Sequence, residues 1–373
     1  MGQHATYQRH AWEATYSVDF TLEEVRRRCR TLADVLVARR WNCLVAYDTR
    51  FLGAHFARDC ARQLQAAGVA TTLAAAAVPY PALELVLEQK RADCVLLISA
   101  GNLPYWQNGM IVLAPAGVNG VIEPAADAPV LVDTSFPSAD RVEMATIDLR
   151  PPYLEYLRSA IDIELIRRSP LTVFVDLMAG SASGMVPLVF GEGSQAKAIE
   201  INREPDALFG RQVPHPADSA LQRLRKLVKE SNSHFGAALS ADGRAINVVD
   251  NQGDLVRHYE LALLLGQYMV RQYRQRGLIV IPALPLELAD AVRQWEARVG
   301  MSVEQVADPA VRIAEITARD RSSLLAGITA GGELTLGRCS ASPDATLAVL
   351  ALAEAAARGG ARLHDLIHKA MGA

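Results

Sequence analysis

A chain of 373 residues is longer than one average domain and allows two or three, each large enough to bury a core of its own. Hydrophobic residues make up 50% and charged residues 21%, the balance of a water-soluble globular protein, and a net charge of −3 excludes the basic surface of a nucleic-acid binder or of a protein drawn to an acidic membrane. Five cysteines (Cys29, Cys43, Cys60, Cys94 and Cys339) show neither C-x-x-C pairs nor metal-ligand spacing, so the expected compartment is the reducing cytoplasm rather than a secreted, disulfide-framed setting.

Residues 1–10 are polar and lack a signal-peptide pattern, and no uncharged apolar run reaches the roughly 18 residues that a membrane helix needs. Gly2 with Thr6 matches the short N-myristoylation pattern, which often arises by chance. The basic runs Arg26-Arg27-Arg28 and Arg167-Arg168 sit in amphipathic patterns and are expected on solvated helix faces. Residues 41–47 read as a strand, 51–67 as a helix, 69–76 as a strand, 81–90 as a helix and 92–99 as a strand. That last strand feeds Ser99-Ala100-Gly101-Asn102-Leu103-Pro104-Tyr105-Trp106-Gln107-Asn108-Gly109. A loop at a strand's carboxyl end is where open α/β sheets place their chemistry.

Paired prolines in Asp148-Leu149-Arg150-Pro151-Pro152 mark a break. A second cycle follows, with a helix over 153–168, a strand over 171–176 and the turn Gly180-Ser181-Ala182-Ser183-Gly184, then strands over 196–201, 235–239 and 246–250. The third has a strand over 278–282 and helices over 285–299, 345–358 and 362–371. Strands alternating with helices predict layered α/β units. His364 and His368, four apart, share a helix face and are expected to be a solvated pair, since no acidic third ligand stands near them in the pattern.

Asp48-Thr49-Arg50, then Val175-Asp176-Leu177-Met178, then Pro214-His215-Pro216, matching in order along the chain, resemble motifs of the α-D-phosphohexomutases, the phosphoglucomutase/phosphomannomutase family. Asp48-Thr49-Arg50 matches the family's D-T-R, and Asp19-Phe20-Thr21-Leu22-Glu23 the start of its first helix. Gln8-Arg9-His10-Ala11-Trp12-Glu13 stands where some members have G-T-S-G-W-R. Val175-Asp176-Leu177-Met178-Ala179-Gly180-Ser181-Ala182-Ser183-Gly184 resembles V-D-P-M-H-G-A-G-S-G, which implies a structural strand-to-helix turn in place of a phosphate cradle; Ala182 at its centre rules out a nucleophile elbow. Ile199-Glu200-Ile201-Asn202, Phe209-Gly210 and Pro214-His215-Pro216 continue the template, and Asp344 matches a later family aspartate.

The same resemblance exposes losses. Laid on the phosphoserine motif T-A-S-H-N-P, Gly101 takes the serine position, Asn102 the histidine, Leu103 the asparagine and Ile111 a later lysine, while Pro104, Asn108 and Gly109 remain. Where members carry the magnesium loop D-G-D-A-D-R, this chain reads Ser240-Ala241-Asp242-Gly243-Arg244-Ala245, with Asp242 its one retained carboxylate, able to pair with Arg244 or to cap a turn. In place of the sugar loop G-E-E-S-G-G stands Ile328-Thr329-Ala330-Gly331-Gly332-Glu333, where Glu333 serves only if the loop is shifted. The family's fourth domain, with its phosphate-gripping loop, is expected to be absent.

The implied fold is α/β, three consecutive α/β/α domains with mixed sheets layered between helices: residues 1–150 with the loop 99–109, 151–253 with the loop 240–245, and 254–373 with the loop 328–333. Mutase chemistry needs a phosphoryl carrier, a cation and fixed donors for the substrate phosphate. The expectation is therefore a catalytically inactive homologue that binds, regulates or scaffolds, with no catalytic residue, no magnesium, and Ser99 as a weak substitute for the serine. Ligand or interface candidates are Asn102, Tyr105, Trp106, Asn108, Arg244 and Glu333, the two aromatics reading equally as anchors or as packing residues. The partners expected are a second copy or another protein, with a phosphosugar as ligand and neither nucleic acid nor membrane. The alternative is a diverged phosphosugar mutase or isomerase, an intramolecular phosphotransferase of carbohydrate metabolism, or a phosphosugar sensor using the old cleft.

Overall fold

The computed structural model describes residues 7–118, 120–124 and 144–372; Gly2 and Thr6 of the acylation pattern lie outside them. Contacts gather the chain into two compact units, Met1–Pro151 with Pro205–Pro214, and Pro152–Glu204 with His215–Ala373.

The first unit runs β1 (Tyr7–Thr15), α1 (Leu22–Arg39), β2 (Cys43–Tyr47), α2 (Gly53–Ala66), β3 (Thr71–Ala74), α3 (Tyr80–Glu88), β4 (Cys94–Ile98), β5 (Gln107–Pro115) and β6 (Thr146–Ile147). Its sheet has the order β1-β5-β4-β2-β3-β6, antiparallel where β5 meets β1 and β4 and parallel elsewhere. All five residues of β4 are buried: Cys94, Leu96 and Ile98 enter one core with α1 and α2, while Val95 and Leu97 enter another with α3. The two-residue side-chain period of a strand thus builds helix–sheet–helix layers from one apolar run. Thr21 caps α1 by accepting the Glu24 N–H, and Glu23 and Glu24 complement the positive end of the helix dipole.

The second unit continues with α4 (Arg150–Ala160), whose first residues belong to the preceding unit, then α5 (Ile163–Arg168), β7 (Thr172–Asp176), α6 (Met185–Phe190), β8 (Lys197–Ile201), α7 (Gln222–Glu230), β9 (Phe235–Leu239) and β10 (Ile246–Asp250). It ends with α8 (His258–Tyr273), β11 (Leu278–Pro282), α9 (Leu286–Val299), β12 (Ser302–Val306), α10 (Pro309–Asp320), β13 (Leu324–Ile328), β14 (Leu334–Thr335), α11 (Ala345–Gly359) and α12 (Leu363–Met371). Two mixed four-stranded sheets result, β10-β9-β7-β8 and β12-β11-β13-β14. The fold is the expected mixed α/β arrangement, with three sheets between helices.

Some local expectations are corrected. The single helix expected over 153–168 is two, because Asp162 leaves helical geometry and caps α5 by accepting the Leu165 N–H at 3.1 Å. Asn108 and Gly109 belong to β5, paired with Ala14 and Glu13, so the loop ends at Trp106, earlier than the sequence suggests. The basic runs are not simply solvated. Arg26 makes a two-pronged pair with Asp59, the Arg28 guanidinium lies 4.1 Å from the Trp12 ring centroid, and Arg167 donates to the Phe190 and Glu192 carbonyls.

Candidate functional site

In the first unit the loop after β4 is held from beneath. Ser99 is fully buried; its hydroxyl donates to Asp48 Oδ2 at 2.6 Å and accepts the Gly101 N–H at 2.9 Å. Arg50, only 4% exposed, donates to the carbonyls of Gly101, Leu103, Pro104 and Gln107 at 2.7–3.0 Å, and its Nε lies 3.3 Å from Asp48. Asp48-Thr49-Arg50 is thus the clamp on the loop, a role its sequence match did not reveal. Gly101 sits at φ +53°, in the left-handed region where a side chain costs roughly 1–2 kcal/mol.

The loop candidates divide by exposure. Trp106 is 50% exposed and meets Tyr105 edge-on, with ring centroids 5.0 Å apart; Asn102 is half-buried. Asn108 is buried, its amide oxygen accepting the Gly109 N–H. Gly109 must be glycine, since a Cβ there would stand 2.6 Å from the Trp12 carbonyl oxygen and 2.8 Å from that of Ser99.

In the second unit the 240–245 and 328–333 loops are sewn together. Ile246 N–H donates to the Gly332 carbonyl at 2.9 Å, Ala245 bridges Glu333, and Arg244 Nη2 lies 3.2 Å from Glu333 Oε1. Asp242 caps the turn: its Oδ1 accepts the Ser240 hydroxyl at 2.5 Å and the Arg244 N–H at 3.1 Å. Beside them His258 Nε2 lies 2.6 Å from Asn247 Oδ1, and the Asn247 amide donates to the Pro216 carbonyl. Burial pushes the imidazoles of both His258 and His215 below their ordinary pKa, so both are neutral at neutral pH. His215 was visible as part of Pro214-His215-Pro216; His258 and Asn247 carried no motif.

These residues do not fit magnesium. A hard dication needs several oxygen ligands, whereas this loop offers one carboxylate, with one oxygen already accepting two hydrogen bonds, and a fixed guanidinium. At about 4 Å and an effective dielectric near 20, two unit charges repel by about 4 kcal/mol, and a dication doubles that. Among the described residues, no group of three or more His, Cys, Asp or Glu side chains could hold a metal ion.

Two other motifs resolve into structure. The turn 180–184 donates the Gly184 N–H to both Glu200 oxygens at 3.0 Å, and Gly180 packs so closely on Ala241 that a Cβ would come within 2.3 Å of its Cα. His364, expected to be solvated without an acidic neighbour, instead has its Nδ1 2.8 Å from Asp250 Oδ2; the carboxylate arrives from β10, which helix spacing alone could not show.

The family model described as phosphoglucomutase/phosphomannomutase, alpha/beta/alpha domain I, matches residues 10–127, and that of domain II matches residues 151–253, together more than half of the chain. The chain belongs to this family, the α-D-phosphohexomutases. It is 27% identical over 338 residues to a phosphoglucosamine mutase of Myxococcus xanthus, covering 88% of this chain and 71% of that one. A phosphoglucosamine mutase of Methylococcus capsulatus is 28% identical over 332 residues, covering 87% and 71%. In fold, the chain matches a Thermus thermophilus structure named for a phosphomannomutase, with a TM-score of 0.83, 21% identity and coverage of 97% and 83%. A phosphoglucomutase/phosphomannomutase family protein from Burkholderia thailandensis matches with a TM-score of 0.75, 19% identity and coverage of 98% and 79%.

These relatives overturn the expectation of a pseudoenzyme. Proteins similar along almost the whole chain carry the names of mutases, which points to an enzyme. Lost side chains suggested inactivity, but they left out the clamp of Asp48, Arg50 and Ser99 that keeps the loop in place. Among the described residues no helix is long and apolar enough to cross a membrane.

Proposed function

We propose that this chain is a diverged phosphosugar mutase, an intramolecular phosphotransferase that moves a phosphoryl group between two hydroxyls of one hexose phosphate. The observation that carries the reading is the similarity, along 87–88% of the chain, to two proteins named phosphoglucosamine mutase. Phosphoryl transfer asks little covalent chemistry of a protein beyond positioning and charge stabilisation. In the first unit the Asp48 carboxylate holds the Ser99 hydroxyl in place at the base of the loop.

With Gly101 at the family serine position, the nearest hydroxyl within the loop is Ser99, and this reading makes it the phosphoryl acceptor. Asp48, 2.6 Å away, takes the hydroxyl proton as the Oγ–P bond forms and the P–O bond to the donor sugar breaks, the departing sugar oxygen taking a proton from water; when the phosphoryl group passes to the sugar's other hydroxyl, that hydroxyl gives its proton back to the solvent and Asp48 returns its own to Oγ. Ser99 is fully buried, so transfer requires the 101–106 segment to lift, breaking the Arg50 contacts to its carbonyls. The half-exposed Trp106 offers an aromatic face to a sugar ring. All five thiols are buried and unpaired, in keeping with a reducing compartment.

The test is incubation with a hexose 1,6-bisphosphate followed by peptide mass spectrometry. A phosphoryl adduct on the peptide containing Ser99, absent from Ser99→Ala, is the expected result. Absence of any phosphoryl adduct contradicts the assignment.

A further inference from the structure

We infer that the Arg244 guanidinium is the resident cation of the 240–245 loop, and that a phosphomonoester binds there without a divalent metal by displacing Glu333 from Arg244. The proposal rests on the mutase reading only in naming a hexose phosphate as the natural ligand.

Three observations converge on it. First, Asp242 is committed to the turn, accepting from the Ser240 hydroxyl and the Arg244 N–H through one oxygen. Second, the guanidinium meets the Glu333 carboxylate, with Oε1 at 3.2 Å, and both side chains remain 23% exposed, so the pair can exchange with an incoming anion. Arginine suits this task, because its planar fork presents paired N–H donors to two oxygens of a carboxylate or a phosphate alike. Third, the wall beside it is neutral and polar. His258 is fixed against Asn247 Oδ1, and burial disfavours the charged form of His258 and His215, so neither competes with Arg244 for the anion.

Glu333 is brought to Arg244 by backbone pairing, which lets its side chain swing away while the loops stay joined through Ile246 N–H and the Gly332 carbonyl. The resting pair therefore stores the guanidinium in neutralised form. A phosphate dianion, with more charge and more acceptor oxygens than a carboxylate, is the stronger partner.

The experiment is calorimetric titration of the full chain with a hexose 6-phosphate and, separately, with inorganic phosphate, in EDTA and in excess magnesium. Affinity unchanged within about twofold between EDTA and magnesium is expected, with loss of about tenfold or more in Arg244→Gln and a severalfold gain in Glu333→Gln, where the competing charge is gone. Arg244→Lys guards against misfolding and is expected to retain part of the affinity through its charge. Manganese titration followed by electron paramagnetic resonance is expected to leave the ion free in solution. Binding that requires a divalent ion, stoichiometric manganese uptake, unchanged affinity in Arg244→Gln, or no phosphate binding under any condition overturns the proposal. EDTA-resistant, Arg244-dependent binding without any interconversion of hexose phosphates would sink the mutase reading and leave this inference standing.

Discussion

The Ser99 hydroxyl and the Asp48 carboxylate meet at 2.6 Å with neither residue more than 5% exposed. One short bond thus joins the end of β4 to the turn after β2, and the same hydroxyl accepts the Gly101 N–H. The loop's first turn is built on a group that is also its nearest candidate nucleophile.

Replacing Ser99 by alanine leaves a buried carboxylate oxygen and a half-buried N–H without this partner, which costs about 1–3 kcal/mol. Urea unfolding of the Ser99→Ala chain is expected to show that loss with an unchanged m-value. Stability equal to the parent would show that the hydroxyl is not the strut described.

Arg50 ties four loop carbonyls together, and its loss also removes the guanidinium that pairs with the buried Asp48 carboxylate. Removing one partner of a buried ion pair typically costs about 3–5 kcal/mol. Arg50→Ala is expected to lose stability of that order and to speed hydrogen exchange at amides 101–107 well above the effect on β4. Arg50→Lys restores little, because an ammonium cannot span those carbonyls in the same plane. Exchange rates unchanged in the loop would contradict the clamp.

Asp344 supplies a pH signature of the second unit. It caps α11, accepts the Tyr153 hydroxyl at 2.9 Å, and is pushed up to about 6 by burial. A carboxyl whose folded pKa lies above its unfolded value binds more protons when folded, so its contribution is fully present below about pH 4 and is lost as pH rises through about 6. Over that window the parent chain is expected to lose about 3 kcal/mol relative to Asp344→Asn, the free-energy equivalent of raising a carboxyl from its ordinary pKa near 4 to about 6. Parallel pH profiles of the two proteins would refute the burial argument.

Gly332 holds the seam between the 240–245 and 328–333 loops at φ +82°, where a Cβ would come within 2.5 Å of the Ile246 carbonyl oxygen. Gly332→Ala is expected to destabilise by about 2–4 kcal/mol through overpacking and left-handed strain together. A thermal midpoint unchanged within error would contradict the close approach.

Much of the fold was legible because its central strands are apolar runs between turn residues. The strands over 235–239, 246–250 and 278–282 appear with the bounds read from the letters. Two edge strands were not legible: β1 and β12 carry polar residues largely at intermediate exposure, so neither shows the apolar signal of a buried strand. The site was legible as positions and not as contacts. Arg244 was seen as a charge hostile to a metal, yet its pairing with Glu333 depends on β13 and β14 folding beside β10, a distance in sequence that no local pattern spans. The Arg50 clamp was hidden for the same reason, since a guanidinium that serves backbone carbonyls leaves no complementary residue type in the sequence.

Turnover decides the central claim. Phosphorus NMR of the full chain with glucosamine, glucose or mannose 1-phosphate, primed with the matching 1,6-bisphosphate, is expected to show the 6-phosphate growing in, with the rate abolished in Ser99→Ala. A spectrum in which none of these 1-phosphates is converted, with or without magnesium, would contradict the assignment of this chain as a phosphosugar mutase.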